Sequence, residues 1–223
     1  MNDTLAHQLH TGFDPVWRRF AEEFLSAPVV ARIVAQRCSI EDYRCLLRDL
    51  RAQVVDGARW LARAAGSLGP EQLALRGALL RHAVTEHQDF RMLEADYVAV
   101  GGAPEDMVAP RRNVGTEALC AWMEELSGRR GSLGILGALM IFEGVGSRLA
   151  PRLGKALQGG LGLREDQCRF ITYHAEHDAG HQGGLREVLR GALRDADDVH
   201  EILRSARITG MLYAQQYRCL GEY

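Results

Sequence analysis

Tyr173-His174-Ala175-Glu176-His177-Asp178-Ala179-Gly180-His181 is the run from which the rest of the chain is read. His174, Asp178 and His181 are spaced i, i+4, i+7. On an α-helix this puts all three on one stripe, each within about 40° of the next around the axis. Two imidazoles and a carboxylate converging from one helix form half of a site suited to iron, manganese or zinc. A stripe of this kind also suits a solvated face or a hydrogen-bonded core pair, so partners elsewhere must decide. His177 lies close to the same stripe and could replace one of the histidines or support it from behind. Glu176 points to the opposite side and reads as solvated.

Two further segments place acids or imidazoles in apolar helical surroundings. In His82 to Leu93, Glu86 and Asp89 share a helix face, and His82 joins them one turn before Glu86. In Ile135 to Gly144, Glu143 follows an eight-residue apolar run broken only by Gly137. An ionised carboxylate there is costly unless it is paired or bound to a cation. Pairing with Arg148 or Arg152 is the plain structural alternative. Those two arginines lie one and two turns beyond Glu143 and are equally candidates for recognising a substrate carboxylate. His7 and His10 precede the expected start of the first helix and read as lying outside any site.

Strand signals are nearly absent, and helical periodicity recurs throughout. A first helix is expected after Pro15, with Trp17, Phe20, Phe24 and Leu25 on its apolar side, and residues 1–14 as a mobile lead segment. Ser26-Ala27-Pro28 breaks it, and a second helix runs to about Cys38. Ser39 followed by Asp42 reads as a capping box opening a long helix that carries Tyr43, Leu46, Leu47, Leu50, Val54, Ala58, Leu61 and Ala62 inward. Gly66 to Pro70 ends it. Further helices are expected at about 71–100, 114–127, 132–156, 164–192 and 196–219. The fold class is all-α: a single domain over 1–223, a bundle of seven to eight helices.

Composition narrows the function. A chain of 223 residues, 47% hydrophobic and 25% charged with a net charge of −2, is an ordinary globular one. No basic block interleaved with aromatics points to nucleic acid. No apolar run is long enough for a membrane span. The N-terminal residues do not read as a signal peptide. Five scattered cysteines without a C-x-x-C imply free thiols in a reducing, cytoplasmic setting. A homodimer is compatible with the apolar content.

Taken together, E…E…H-x-x-x-D-x-x-H on separate helices of an all-α chain resembles the haem-oxygenase-like di-iron oxidases and oxygenases. These share a helical fold with haem oxygenases, TenA-type thiaminases and pyrroloquinoline-quinone synthase. Ser39 to Leu47 and Phe142 to Pro151 resemble further motifs of that family, less specifically than Tyr173 to His181. The resemblance implies Glu86, Glu143, His174, Asp178 and His181 as metal ligands, with Glu143 a candidate bridge between two irons. It also implies dioxygen as co-substrate and a small molecule, an amino acid or a fatty acid, as substrate. The family expects a histidine a few residues or two turns after its first glutamate. This chain has Asp89 and Leu93 there. Asp89 as an oxygen ligand would shift preference toward manganese or a mixed site. Otherwise His82 reaches in from one turn earlier, or that metal position is empty.

Three alternatives stay open. A haem oxygenase would need a proximal histidine in the first helix, and residues 16–37 contain none. A TenA-like hydrolase would need an activated cysteine, with Cys120 and Cys168 the candidates. A cofactor-free or non-catalytic member of the fold would explain the missing histidine.

Overall fold

A computed structural model describes residues 2–223, with the side chains of Asn2 and of 178–186 outside the description. Among the described residues there are helices and no strand. In chain order the α-helices are α1 (Asn2–Leu25), α2 (Pro28–Val34), α3 (Ile40–Val54), α4 (Gly57–Ser67), α5 (Leu73–Glu86), α6 (Phe90–Ala99), α7 (Val114–Ser127), α8 (Gly134–Gly144), α9 (Ala150–Leu161), α10 (Arg169–Ala192) and α11 (Ala196–Arg218).

α8 is the axis of the bundle. It is apolar on every side, as a fully enclosed helix must be, and Ile135, Leu136, Ala138, Leu139 and Ile141 are all buried. α11 runs along it, flanked by α1 and α7, while α10 crosses the other side. The α8–α11 crossing is close because Gly137 has no side chain. A Cβ there would collide with the Ile202 carbonyl and come within 2.7 Å of the Ala206 nitrogen. Gly115 on α7 plays the same part against Gln216, where a Cβ would stand 2.6 Å from Cα. An aromatic cluster closes the space between α1, α8 and α11. Phe142 meets Tyr213 edge-on at 5.0 Å, and Phe24 lies 4.4 Å from Tyr217.

The N-terminal segment differs from expectation. Residues 2–14 belong to α1, which continues through Pro15 without a break. A mid-helix proline forfeits one backbone hydrogen bond and costs about 3 kcal/mol. Burial of Leu5, Leu9, Phe13, Val16 and Trp17 on one stripe outweighs it. The periodicity was present upstream of Pro15; the proline masked it.

Three long helices expected from the periodicity are each divided. The Ser39 capping box forms: Ser39 Oγ accepts from the Asp42 amide at 3.0 Å, and the Asp42 carboxylate accepts from the Ser39 amide at 2.9 Å. The helix it opens stops at Val54, and α4 begins after Asp56. The 71–100 segment turns at His87–Asp89, between α5 and α6. After Glu143 the backbone widens into a π-helical turn, Val145–Leu149, before α9. There Ser147 Oγ donates to the Glu143 carbonyl at 2.7 Å. Such turns sit preferentially at functional positions.

α10 is fastened at its start by an acid from another helix. Asp96 of α6, fully buried, accepts from the Arg169 amide at 3.0 Å and the Phe170 amide at 2.9 Å. A carboxylate at a helix N-terminus satisfies otherwise orphaned donors and faces the positive end of the dipole. Burial nevertheless raises the Asp96 carboxyl to about 6, against the pull of those two amides. Burial does the same to Asp49, also to about 6. Both groups bind protons more readily folded than unfolded, so their contribution to stability is full below about pH 4 and is lost as pH rises through about 6. For Asp96 the loss is about 3 kcal/mol at most. Urea unfolding between pH 4 and 7 should show this downward slope, and Asp96→Asn should flatten its share. An unchanged slope in the variant would exclude Asp96 as a source.

Candidate metal centre

The expected residues of α5 and the α5–α6 turn do converge with α8 and α10. His82, Glu86 and Asp89 project from one face, and His174 meets them from α10. His174 Nε2 lies 3.3 Å from Asp89 Oδ2 and 3.8 Å from Glu86 Oε2. His82 Nε2 lies 3.1 Å from Glu143 Oε1 and 3.7 Å from Glu86 Oε1. The two oxygens of Glu86 therefore face two different histidines. Among the described donors, Glu86 stands between the two sides, and Glu143 meets His82. Asp89 and Glu143 are buried, and Glu86, His82 and His174 are partly so.

The tautomer of His174 follows from its surroundings. Its Nδ1 sits 2.8 Å from the Phe170 carbonyl, which can only accept, so Nδ1 carries the hydrogen. Nε2 then faces two carboxylates. That arrangement needs a cation between them, whether a proton or a metal. The two acids respond in opposite directions. Burial pushes both up, but the hydrogen bond to His174 and the charges of His82 and His174 take Glu86 down to about 2. Asp89 is raised, by burial first and then by the Glu86 charge beside it, with His174 pulling the other way.

The donors fit a metal. One atom each from Glu86, Asp89 and His174 lie within 4.8 Å of one another. Ligands at about 2.1 Å from a first-row ion are separated by about 4.2 Å at most, so small rotations suffice. Carboxylate oxygens with imidazole nitrogens suit iron and manganese. The side chains of Asp178 and His181, which the sequence puts on the same stripe as His174, lie outside the described residues. His177 is exposed and stacks on Tyr173 at 4.1 Å, apart from this cluster. Leu93, where the family expects a histidine, is fully buried and has no donor to offer.

The centre opens on a chamber of about 150 Å³ lined from α2, α3, α4, α5, α7, α8, α9, α10 and α11. His82, Glu86, Glu143 and His174 stand in its wall beside Trp60, Leu139, Leu157 and Tyr213. Val145 and Gly146 of the π-turn line it as well, so that turn shapes the wall next to Glu143. Neither Arg148 nor Arg152 reaches it. Arg148 holds its guanidinium 4.8 Å above the Trp17 ring, and Arg152 is exposed. His7 and His10 line a separate groove with Arg190.

Sequence reasoning missed the residues that set this geometry from outside. Asp96 fixes the start of α10, and its signal is weak, an acid three residues after Leu93 on the side of α6 that also carries Leu93 and Tyr97 inward. The Phe170 carbonyl that sets the His174 tautomer has no sequence signal at all. Tyr213 and Tyr217, whose hydroxyls lie 3.3 Å apart, read only as core aromatics.

Among the described residues no helix is long and apolar enough to cross a membrane. No curated protein matches the sequence. Among solved structures, a domain of unknown function with a heme oxygenase-like fold from Shewanella denitrificans superposes with a TM-score of 0.85 at 19% identity, over 92% of this chain and 88% of that one. A TenA homologue from Pseudomonas syringae gives 0.78 at 17% identity, over 96% and 92%. A CADD-like protein of unknown function from Nostoc punctiforme gives 0.71 at 15%, over 98% and 96%. At these identities the likeness is one of fold, and the all-α bundle is heme oxygenase-like. Residues 58–214, which run from α4 into α11 and carry every described donor of the cluster, match the family described as iron-containing redox enzymes, and the chain belongs to that family.

Proposed function

We propose that the protein is a non-haem iron oxidase or oxygenase that uses dioxygen to oxidise a small molecule in the chamber beside Glu86 and His174. The observation that carries this reading is His174 Nε2 facing Asp89 Oδ2 at 3.3 Å and Glu86 Oε2 at 3.8 Å, in the wall of a chamber. His82, Glu86 and Glu143 would hold one metal position. Asp89 and His174, sharing Glu86, would hold the other. His82 then takes over the donor role that Leu93 cannot fill. When bound, iron supplies the electrons and open coordination positions that dioxygen chemistry requires. The chain's own part is to orient the ligands and to exclude water. The Phe170 carbonyl holds the His174 ring in the ligating tautomer. The apolar chamber wall keeps competing solvent away from the reacting atoms.

The alternatives fit less well. A haem oxygenase needs a proximal histidine from α1 at the chamber, and the α1 histidines, His7 and His10, line a separate groove. A cysteine nucleophile needs a depressed pKa. Burial instead pushes Cys120 up to about 11 and raises Cys168, and neither lines the chamber.

Elemental analysis after anaerobic ferrous loading tests the proposal. Wild type should hold about two irons per chain and consume dioxygen. His82→Ala should hold about one, and His177→Ala should match wild type. Absence of iron from wild type, or loss of iron in His177→Ala, would refute this ligand assignment.

A further inference from the structure

α5 carries donors of the centre on one face and an apolar stripe on the other. A surface helix is ordinarily apolar toward the core and polar toward solvent. α5 is apolar on both sides. Leu75, Leu79 and Ala83 are buried, while Leu73, Leu80 and Val84 are 63%, 46% and 69% exposed. At about 100° per residue, the three exposed side chains fall within about 40° of one another and form a stripe about 16 Å long. Gly77 lies in the same stripe, and the Arg81 guanidinium reaches over it, 3.3 Å from where a Cβ would stand. Arg76 and Arg81, both exposed, border the stripe on its two sides. Glu71, the acid just before the helix, turns its carboxylate over Gly69 instead. His82 and Glu86 point about 180–220° away from Leu73, where they meet Glu143 and each other.

Single exposed aliphatic side chains are ordinary on a protein surface. Aligned ones rimmed by charge mark contact with another protein. The rim decides which kind. A second copy would offer the same patch to itself, and two cationic rims would meet. An acidic surface is complementary to both arginines. The place of the stripe decides its purpose. A helix with its side chains is about 10 Å across, so a partner seated there stands one helix thickness from His82 and Glu86. An oxygenase needs such a neighbour. When one atom of dioxygen enters a C–H bond and the other leaves as water, two electrons and two protons are consumed that the substrate does not supply. We infer that the outer face of α5 is the docking surface for a small acidic one-electron carrier of the ferredoxin kind. Each carrier molecule is oxidised by one electron as one ferric ion behind α5 is reduced to ferrous. The purpose of the contact rests on the proposed iron centre; the contact itself rests on the stripe and its arginines. Weak redox encounters use small interfaces, which suits three aliphatic side chains and two cations.

Metal-free protein separates the contact from the chemistry. The probe is an oxidised plant-type two-iron ferredoxin, titrated by calorimetry. Its Kd should be on the order of micromolar and should rise at least about tenfold between about 0.05 M and 0.5 M salt. Leu73→Glu and Arg81→Glu should each raise it at least about tenfold. Both side chains are exposed, so the core is untouched, and circular dichroism checks the helices. Arg18→Glu, on the exposed side of α1, should bind as wild type does. In the iron-loaded, ferric protein, reduction by reduced ferredoxin should slow by a similar factor in both variants. Reduction by dithionite, which needs no docking surface, should stay the same. No ferredoxin binding by wild type, binding that both substitutions leave intact, or a concentration-dependent dimer that Leu73→Glu dissociates would overturn the inference. Ferredoxin binding by a protein that takes up no iron would refute the iron centre and support the contact. Iron uptake and reduction by dithionite without ferredoxin binding would refute the contact alone.

Discussion

His174→Ala is expected to lose ferrous iron at least about 100-fold more readily than wild type. Loss of an outer partner of a ligating histidine already costs 10–100-fold in affinity, and the ligand itself costs more. His174 is the described donor that α10 brings to Glu86 and Asp89, at 3.8 and 3.3 Å. Removing it also leaves two neighbouring carboxylates without the imidazole that now faces both. Asp89 should then take up a proton more readily, since the attraction that lowers it is gone while burial remains. The measurement is competitive ferrous titration against a chelator, with circular dichroism to show that the helices persist. Retained affinity within about threefold of wild type would take His174 out of the ligand set. Glutamine at the same position keeps bulk but not the imidazole, and should behave like alanine.

The second large effect is on stability. Gly137→Ala should lower stability by about 3 kcal/mol or more, at the upper end of what overpacking costs. For a chain of this length that is a fall in Tm of roughly 6–12 °C. The cause is backbone against backbone: the added Cβ meets the Ile202 carbonyl and, at 2.7 Å, the Ala206 nitrogen of α11. Neither is the end of a flexible side chain that could swing away. The two helices must move apart, and with them Phe142, Glu143 and Tyr213 at the chamber. A calorimetric scan checks the size of the effect, and a Tm within 2 °C of wild type would show that the crossing yields easily. Gly57→Ala is a suitable comparison, because nothing lies within 4 Å of a Cβ placed there.

Much of this architecture is written in local patterns. The absence of alternating strand signals, the recurrence of helical spacing and the Ser39–Asp42 box all have direct counterparts in the fold. So does the gathering of Glu86, Asp89, Glu143 and His174, because each lies in or beside a helical segment where an acid or imidazole at an inward position needs a reason to be. What local patterns could not convey are the places where tertiary packing overrules them. Pro15 reads as a helix start, yet α1 runs through it because Leu5, Leu9 and Phe13 have a core to enter. The turn at His87–Asp89 divides a segment whose periodicity is continuous. Arg148 and Arg152 lie near Glu143 in sequence, but the widened turn and α9 carry them outward, over Trp17 and into solvent. Helix rotation is the general reason. A pattern tells that a residue faces inward, not which neighbour it meets.

Asp96 gives that rotation a fixed reference. Its carboxylate grips two consecutive amides at the first turn of α10, so α10 can neither slide nor turn about its axis without breaking both bonds. One residue of slippage would swing His174 by about 100° and carry it off the centre. Asp89 and Asp96 lie seven residues apart on the same side of the α5–α6 segment. One meets the imidazole of α10 and the other its backbone. The segment therefore works as a gauge block: it sets the angular phase of the opposite helix and with it the direction of the imidazole.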